Sequence, residues 1–284
     1  MIIVELNGGL GNQMFIYAAG FALAKKNDVQ LRVDPSHLTA WHIKKKWDPE
    51  VLKLNISNGV CTRSELKKFV FKTGVRYLDI FIRNRGLFEN NVYDEKGIFS
   101  EKIFDVHNGY LRGFFGDLRY FDSDEMRKVL REEFKLKDKS GIIKILGEIS
   151  NYISISVHIR RGDLLKLDGA YVLPKNYYVK AINLISKKVE NPLFYFFSDD
   201  IGWCKENFRN LENCVFIEGN SVVKDFELMK TCKHNILANS TLSWWVGYLN
   251  YNKKPIIIAP KHFGTFKNNN GGNLRLEEWI ALEN

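Results

Sequence analysis

The sequence predicts the α/β class, with open, parallel, doubly wound sheets covered by helices. Three observations carry this. Residues 2–34 read as strand, loop, helix and strand in succession, which favours a parallel sheet. From residue 150 onward strands and helices alternate again. Unusual polar groups gather where strands of both stretches end, the place where such sheets bind ligands. A length of 284 residues suits two moderate domains, each with its own core. Their boundary is expected in residues 135–150, giving domains at 1–140 and 141–284.

The first strand is Ile2-Ile3-Val4-Glu5-Leu6, a short apolar run ending at glycines. Asn7-Gly8-Gly9-Leu10-Gly11-Asn12-Gln13 reads as the loop. Residues 14–26 read as a helix rich in Ala, Phe and Leu, with Lys25-Lys26 in its last turn. Leu31-Arg32-Val33-Asp34 is the second strand. Residues 40–110 are aromatic-rich and amphipathic, and read as helices and irregular loops covering the sheet. Asp122-Ser123-Asp124 has the Asp-x-Asp form that many sugar transferases use for a metal. No apolar strand precedes it, and Asp122 with Glu125 instead suggests a helix cap with a capping box.

In the second stretch, strands are expected at 152–159, 193–197, 215–217 and 255–260, with 235–238 leading into a polar loop. Helices are expected at 177–188, 201–208, 225–232 and 243–250, and a closing helix at 274–282 could cross back to the first domain. Residues 268–272, Asn-Asn-Asn-Gly-Gly, read as a flexible loop.

Composition excludes several classes. Charged residues at 26% and hydrophobic ones at 45% are ordinary for a folded chain, so wholesale disorder is excluded. The apolar stretch near the start is too short for a bilayer span and lacks a preceding basic region, which argues against a signal peptide and for a cytoplasmic location. Four cysteines without Cys-x-x-Cys spacing fit free thiols in a reducing compartment rather than zinc. The net charge of +9 comes from scattered lysine runs, and no nucleic-acid-binding motif accompanies them. It leaves room for a weak peripheral attraction to anionic lipid.

Four strand ends carry candidate chemistry. Gly11, Asn12 and Gln13 stand where glycine-loop backbone N–H groups and a helix start favour anions. In His158-Ile159-Arg160-Arg161-Gly162-Asp163, strand alternation points His158 and Arg160 to one face and Arg161 to the other. Arg160 is expected to offer its fork to a phosphate, while Arg161 pairs with Asp163 to shape the turn. Of Asp199 and Asp200, one is expected to cap the following helix and the other to contact ligand. Asn239, Ser240, Thr241 and Ser243 form a second anion cradle, and Trp244-Trp245 suit core packing or stacking on a sugar. Two cradles and an arginine without a metal site point to a nucleotide diphosphate, in a cleft between the halves.

Gly8-Gly9-Leu10-Gly11-Asn12-Gln13-Met14-Phe15, His158-Ile159-Arg160-Arg161-Gly162-Asp163 and Asn239-Ser240-Thr241-Leu242-Ser243-Trp244-Trp245 resemble the three hallmark motifs of glycosyltransferase family 11, the bacterial and animal α-1,2-fucosyltransferases. The resemblance implies a GT-B fold of two Rossmann-like domains, an acceptor-side domain first and a GDP-fucose-binding domain second. It implies inverting transfer from GDP-β-L-fucose to the 2-hydroxyl of a terminal galactoside, free or lipid-linked, with no cofactor and no divalent metal. By the same analogy Arg160 grips the diphosphate, and His158 with Asp199 or Asp200 lies near guanine. Asn12 lies near fucose and the β-phosphate, and Ser240, Thr241 and Ser243 cradle phosphate. Asp168, ten positions after His158, maps onto an acidic residue of related α-1,6-fucosyltransferases and is expected as the general base. Leu164, Leu242 and Gly116-Asp117 depart from the family pattern.

Overall fold

The computed structural model describes all residues except 39–45, 72, 74, 75, 88, 265–273, 275 and 284. The loop read at 268–272 therefore lies outside the described residues. The chain forms two compact units, Met1–Lys135 and Leu136–Asn284, so the division falls after Lys135 rather than at residue 140.

In the first unit β1 (Ile2–Glu5), α1 (Leu10–Lys26) and β2 (Leu31–Asp34) follow the expected succession. Ile2, Ile3 and Val4 are wholly buried, as a continuous apolar run must be when a sheet is covered on both faces. The helix starts earlier than residue 14, with Gly9 at its N-cap and Gly11, Asn12 and Gln13 in its first turn. Local preference reads those residues as loop, but tertiary bonds to Gln13 hold the turn helical. After the one-turn helix α2 (Arg63–Leu66) and α3 (Arg76–Arg85), two strands appear inside the stretch expected to hold only helices and loops: β3 (Val92–Asp94) and β4 (Gly109–Arg112). They are short and carry Gly, Arg and Asp, so no apolar alternation announces them. The ladder recruits them, Ile2 facing Gly109 and Tyr110 facing Val92. The sheet runs β2-β1-β4-β3, all parallel.

The unit ends with α4 (Asp124–Glu133). Its cap is Ser123, not Asp122, and the Ser123 hydroxyl accepts the Met126 N–H at 3.0 Å. Glu125 closes no capping box and instead meets Lys25 at 2.7 Å.

The second unit opens with α5 (Ile143–Asn151), a helix lying where only a boundary segment was expected, with Ile149 buried. There follow β5 (Ile153–Ile159), α6 (Lys175–Ser186), β6 (Pro192–Ser198), α7 (Ile201–Phe208), β7 (Cys214–Phe216), α8 (Val222–Thr231), β8 (His234–Ile236), α9 (Thr241–Leu249), β9 (Ile257–Pro260) and β10 (Ile280–Leu282). The six-stranded sheet has the order β10-β9-β8-β5-β6-β7, all parallel. Among the described residues of 274–282 the expected closing helix is not formed, and the last of them form β10 on β9. Ile280 and Leu282 pack on the core while Ala281 between them is exposed, a period of two that suits a strand. No described helix is long and apolar enough to cross a membrane.

Candidate functional site

Because β8, β5 and β6 are neighbours, three of the four expected strand ends come together at one carboxyl edge. Arg160 follows the last residue of β5, and Asp199 follows the last residue of β6. The Arg160 guanidinium meets Asp163 at 2.6 Å and Asp199 at 2.8 Å. This corrects the expected pairing, in which Arg161 bound Asp163 and Arg160 stood alone. Arg161 lies 4.1 Å from the Trp203 ring and 3.3 Å from Asp200 instead.

The two aspartates divide their work. Asp200 caps α7, accepting the Trp203 N–H at 3.3 Å. Asp199 accepts the Arg161 backbone N–H at 2.9 Å. Gly162 approaches so closely that a Cβ there would stand 3.0 Å from Asp199 Oδ2. Burial would raise the Asp199 carboxyl, but Arg160 and the neighbouring backbone N–H groups outweigh it and hold it below the usual carboxylate range. Arg160 and Asp199 keep 29% and 24% of their side chains exposed, so the pair stays within reach of a ligand.

His158 lies beneath them, buried, and its Nδ1 has no hydrogen-bond partner among the described residues. Burial first, and the Arg160 charge second, push its pKa down to about 4. The imidazole is therefore neutral near pH 7. On the adjoining loop, Asn239 donates to the Tyr171 carbonyl at 2.7 Å, while its buried Oδ1 is unpaired among the described residues. Ser240 is the N-cap of α9 without a capping bond from its side chain, and Thr241 begins the helix. The uncapped start of α9 and the guanidinium of Arg160 both favour an anion.

Ser243 is spent structurally. It is buried, and its hydroxyl accepts the Ala238 N–H at 2.8 Å. Trp244 and Trp245 are also wholly buried, and Trp244 stacks on Tyr248 at 4.6 Å, so the core claims both. Asp168 is exposed on the turn after the short helix Leu164–Lys166. Among the described residues it joins none of the hydrogen bonds or ion pairs of the Arg160 cluster.

The fourth strand end belongs to the first unit. Gly8 has φ +69, a conformation that favours glycine, and a Cβ there would sit 2.6 Å from Asn12 Nδ2. Half-buried Asn12 and buried Gly11 lie in the first turn of α1, which has no side-chain cap and no acidic residue. Gln13 faces inward. Its amide donates to the Gly8 and Asp48 carbonyls, both at 2.8 Å, and accepts the Val51 N–H at 3.1 Å. These bonds make it a brace for the loop rather than a ligand group.

A second charged cluster escaped the sequence reading. Glu5, Asp34, Asp94 and Arg112 are the last residues of β1, β2, β3 and β4. The Tyr110 hydroxyl lies 2.9 Å from Glu5 and 2.7 Å from Asp34. Arg112 meets Glu89 at 2.7 Å, and His37 stands 3.9 Å from Glu5. Burial and the two carboxylates push the Tyr110 phenol well above its usual range, so it remains a protonated donor. The signal available was a charge at each apolar strand's end, visible for Glu5 and Asp34. It could not be seen for Arg112 and Asp94, whose strands were not recognised. Among the described residues no group of three or more His, Cys, Asp or Glu is arranged to hold a metal.

The family model for glycosyl transferase family 11 matches residues 90–283. An α-1,2-colitosyltransferase of Escherichia coli is 31% identical, covering 100% of this chain and 99% of its own. The O-antigen biosynthesis glycosyltransferase WbnK of Escherichia coli is 32% identical over 98% of this chain and 99% of its own. Human galactoside α-(1,2)-fucosyltransferase 1 is 28% identical over 53% of this chain and 46% of its own. Among solved structures, POFUT1 in complex with GDP aligns with a TM-score of 0.54 at 14% identity, over 91% of this chain and 97% of that one. NodZ α-1,6-fucosyltransferase co-crystallised with GDP aligns at 0.53 and 12% identity, over 90% and 94%. These likenesses give the fold, GT-B in type with two Rossmann-like α/β units. Full-length identity above 30% together with the matching family model establishes that this chain belongs to glycosyltransferase family 11.

Proposed function

We propose that this glycosyltransferase moves L-fucose from GDP-β-L-fucose to the 2-hydroxyl of a terminal galactoside, with inversion, in assembling a surface glycan such as an O-antigen at the cytoplasmic side. The observation that carries the reading is the partly exposed Arg160 at a sheet's carboxyl edge, on a strand adjoining the one that leads into the uncapped start of α9. As the sugar–oxygen bond breaks, negative charge moves onto the β-phosphate oxygen. A guanidinium fixed there stabilises the departing GDP without a cofactor or divalent cation. To bind it, the diphosphate displaces Asp163 or Asp199 from one side of the fork. Asn239 Oδ1 and His158 Nδ1 are polar atoms suited to the rest of the nucleotide. Gly11 and the Asn12 amide are suited to the sugar and its phosphate, Ser240 and Thr241 to phosphate, and exposed Asp168 to the acceptor's proton as general base.

A second donor is favoured by the 31% identity to a colitosyltransferase. Colitose is L-fucose without its 3-hydroxyl, so the two donors differ by one polar group. The test incubates labelled GDP-fucose and GDP-colitose with a panel of β-galactosides in EDTA. Transfer of fucose to the 2-hydroxyl with the metal chelated is the expected result. Transfer of colitose alone moves the reading to the second donor. Loss of turnover in EDTA with recovery on magnesium refutes the metal-independent mechanism. For the base, Asp168→Asn is expected to lower kcat by roughly 10²–10⁴, and unchanged turnover at every pH removes Asp168 from the mechanism.

A further inference from the structure

We infer that the outward face of α3 seats this protein on an anionic lipid surface. The inference goes beyond the transfer reaction and is read without donor or acceptor. Tyr77, Leu78, Phe81 and Arg85 share one arc of the helix by their spacing. The three apolar side chains are 75%, 46% and 48% exposed, and Leu87 just beyond the helix is exposed as well. Ile82 is buried, and Asp79 turns back to accept the Thr73 N–H and hydroxyl, both at 2.6 Å. The helix is thus anchored on one side and presents aromatic and aliphatic groups on the other.

The surrounding charge selects the occupant. Residues 63–87 carry seven Lys and Arg against two Asp and Glu, in a chain of net charge +9. Arg63, Lys67, Lys68 and Arg85 are exposed, and the Arg85 guanidinium lies 5.0 Å from the Phe81 ring. Apolar groups that can dip below the headgroups, flanked by cations that reach the phosphates, are what an interfacial helix needs. A second copy of this face would bring like charges together, which disfavours self-association.

Flotation of the intact chain with vesicles tests the inference. Binding to phosphatidylcholine containing phosphatidylglycerol is expected, with none to phosphatidylcholine alone and with loss at high salt. Both the pair Leu78→Ser with Phe81→Ser and, separately, Arg85→Glu are expected to weaken it by roughly tenfold or more. Melting and transfer to a soluble galactoside should be unchanged. If the serine pair disturbs the fold, exposed Arg85→Glu carries the test alone. Absence of wild-type binding, unchanged binding by a folded variant, or a concentration-dependent dimer abolished by the same substitutions each overturns it.

Discussion

Each unit ends its parallel strands in charged groups, yet the two edges are built to opposite purposes. In the first unit Glu5, Asp34 and Arg112 are 4%, 2% and 6% exposed and converge around a buried tyrosine. In the second, Arg160, Asp163 and Asp199 are partly open, while buried polar atoms without hydrogen-bond partners among the described residues occur at both edges, Arg112 Nε in the first and His158 Nδ1 and Asn239 Oδ1 in the second. A sealed network gains low-dielectric strength, and opening it leaves carboxylates stranded. An open one loses little when a ligand replaces an internal partner. The sealed edge is built for stability, and the open edge suits the ligand binding proposed for it.

Three substitutions probe that contrast. The largest effect is expected from Arg160→Ala, which should lower kcat by about 10²–10³ while the melting temperature changes little, because one preorganised donor to the leaving group is lost. Retention of more than about a tenth of kcat contradicts the open edge's assigned role.

His158→Gln should change how stability varies with pH. The folded imidazole titrates near 4, below its unfolded value of 6.5. Its neutral form therefore favours the fold above pH 6.5, and that contribution is lost as pH falls towards 4. Wild type should lose on the order of 3 kcal/mol relative to the variant across that window, seen as converging or crossing urea midpoints. Parallel curves would show that His158 is hydrated rather than buried.

The smallest effect is expected from Tyr110→Phe at the sealed edge, a loss of about 1–2 kcal/mol in unfolding free energy with kcat of the folded fraction unchanged. Loss of turnover at full stability would give that edge a part in catalysis.

How much was legible follows from what each signal depends on. Strands buried on both faces, such as Ile2–Glu5 and Pro192–Ser198, are announced by continuous apolar runs. Gly109–Arg112 and Ile280–Leu282 are strands because a neighbour offers an edge, and nothing local says so. At the site, Arg160, Asp199, Asp200 and Asn239 were visible as polar groups at strand ends. Their partners were not. Whether a guanidinium pairs with Asp163 or Asp200 depends on side-chain direction at a turn, and strand alternation ends there. Gln13 and Ser243 looked like ligand groups because an amide or hydroxyl beside glycine or a helix start suits either use. Only their backbone bonds decided for the interior.

The amino-acid order alone determined the α/β class, the family motifs and the chemical types at the strand ends, because these rest on short-range periodicity and residue identity. Tertiary structure decided which carboxylate meets which arginine, which polar groups are consumed by backbone and which charged edge stays open. Those outcomes depend on burial and on contacts between residues far apart in the chain.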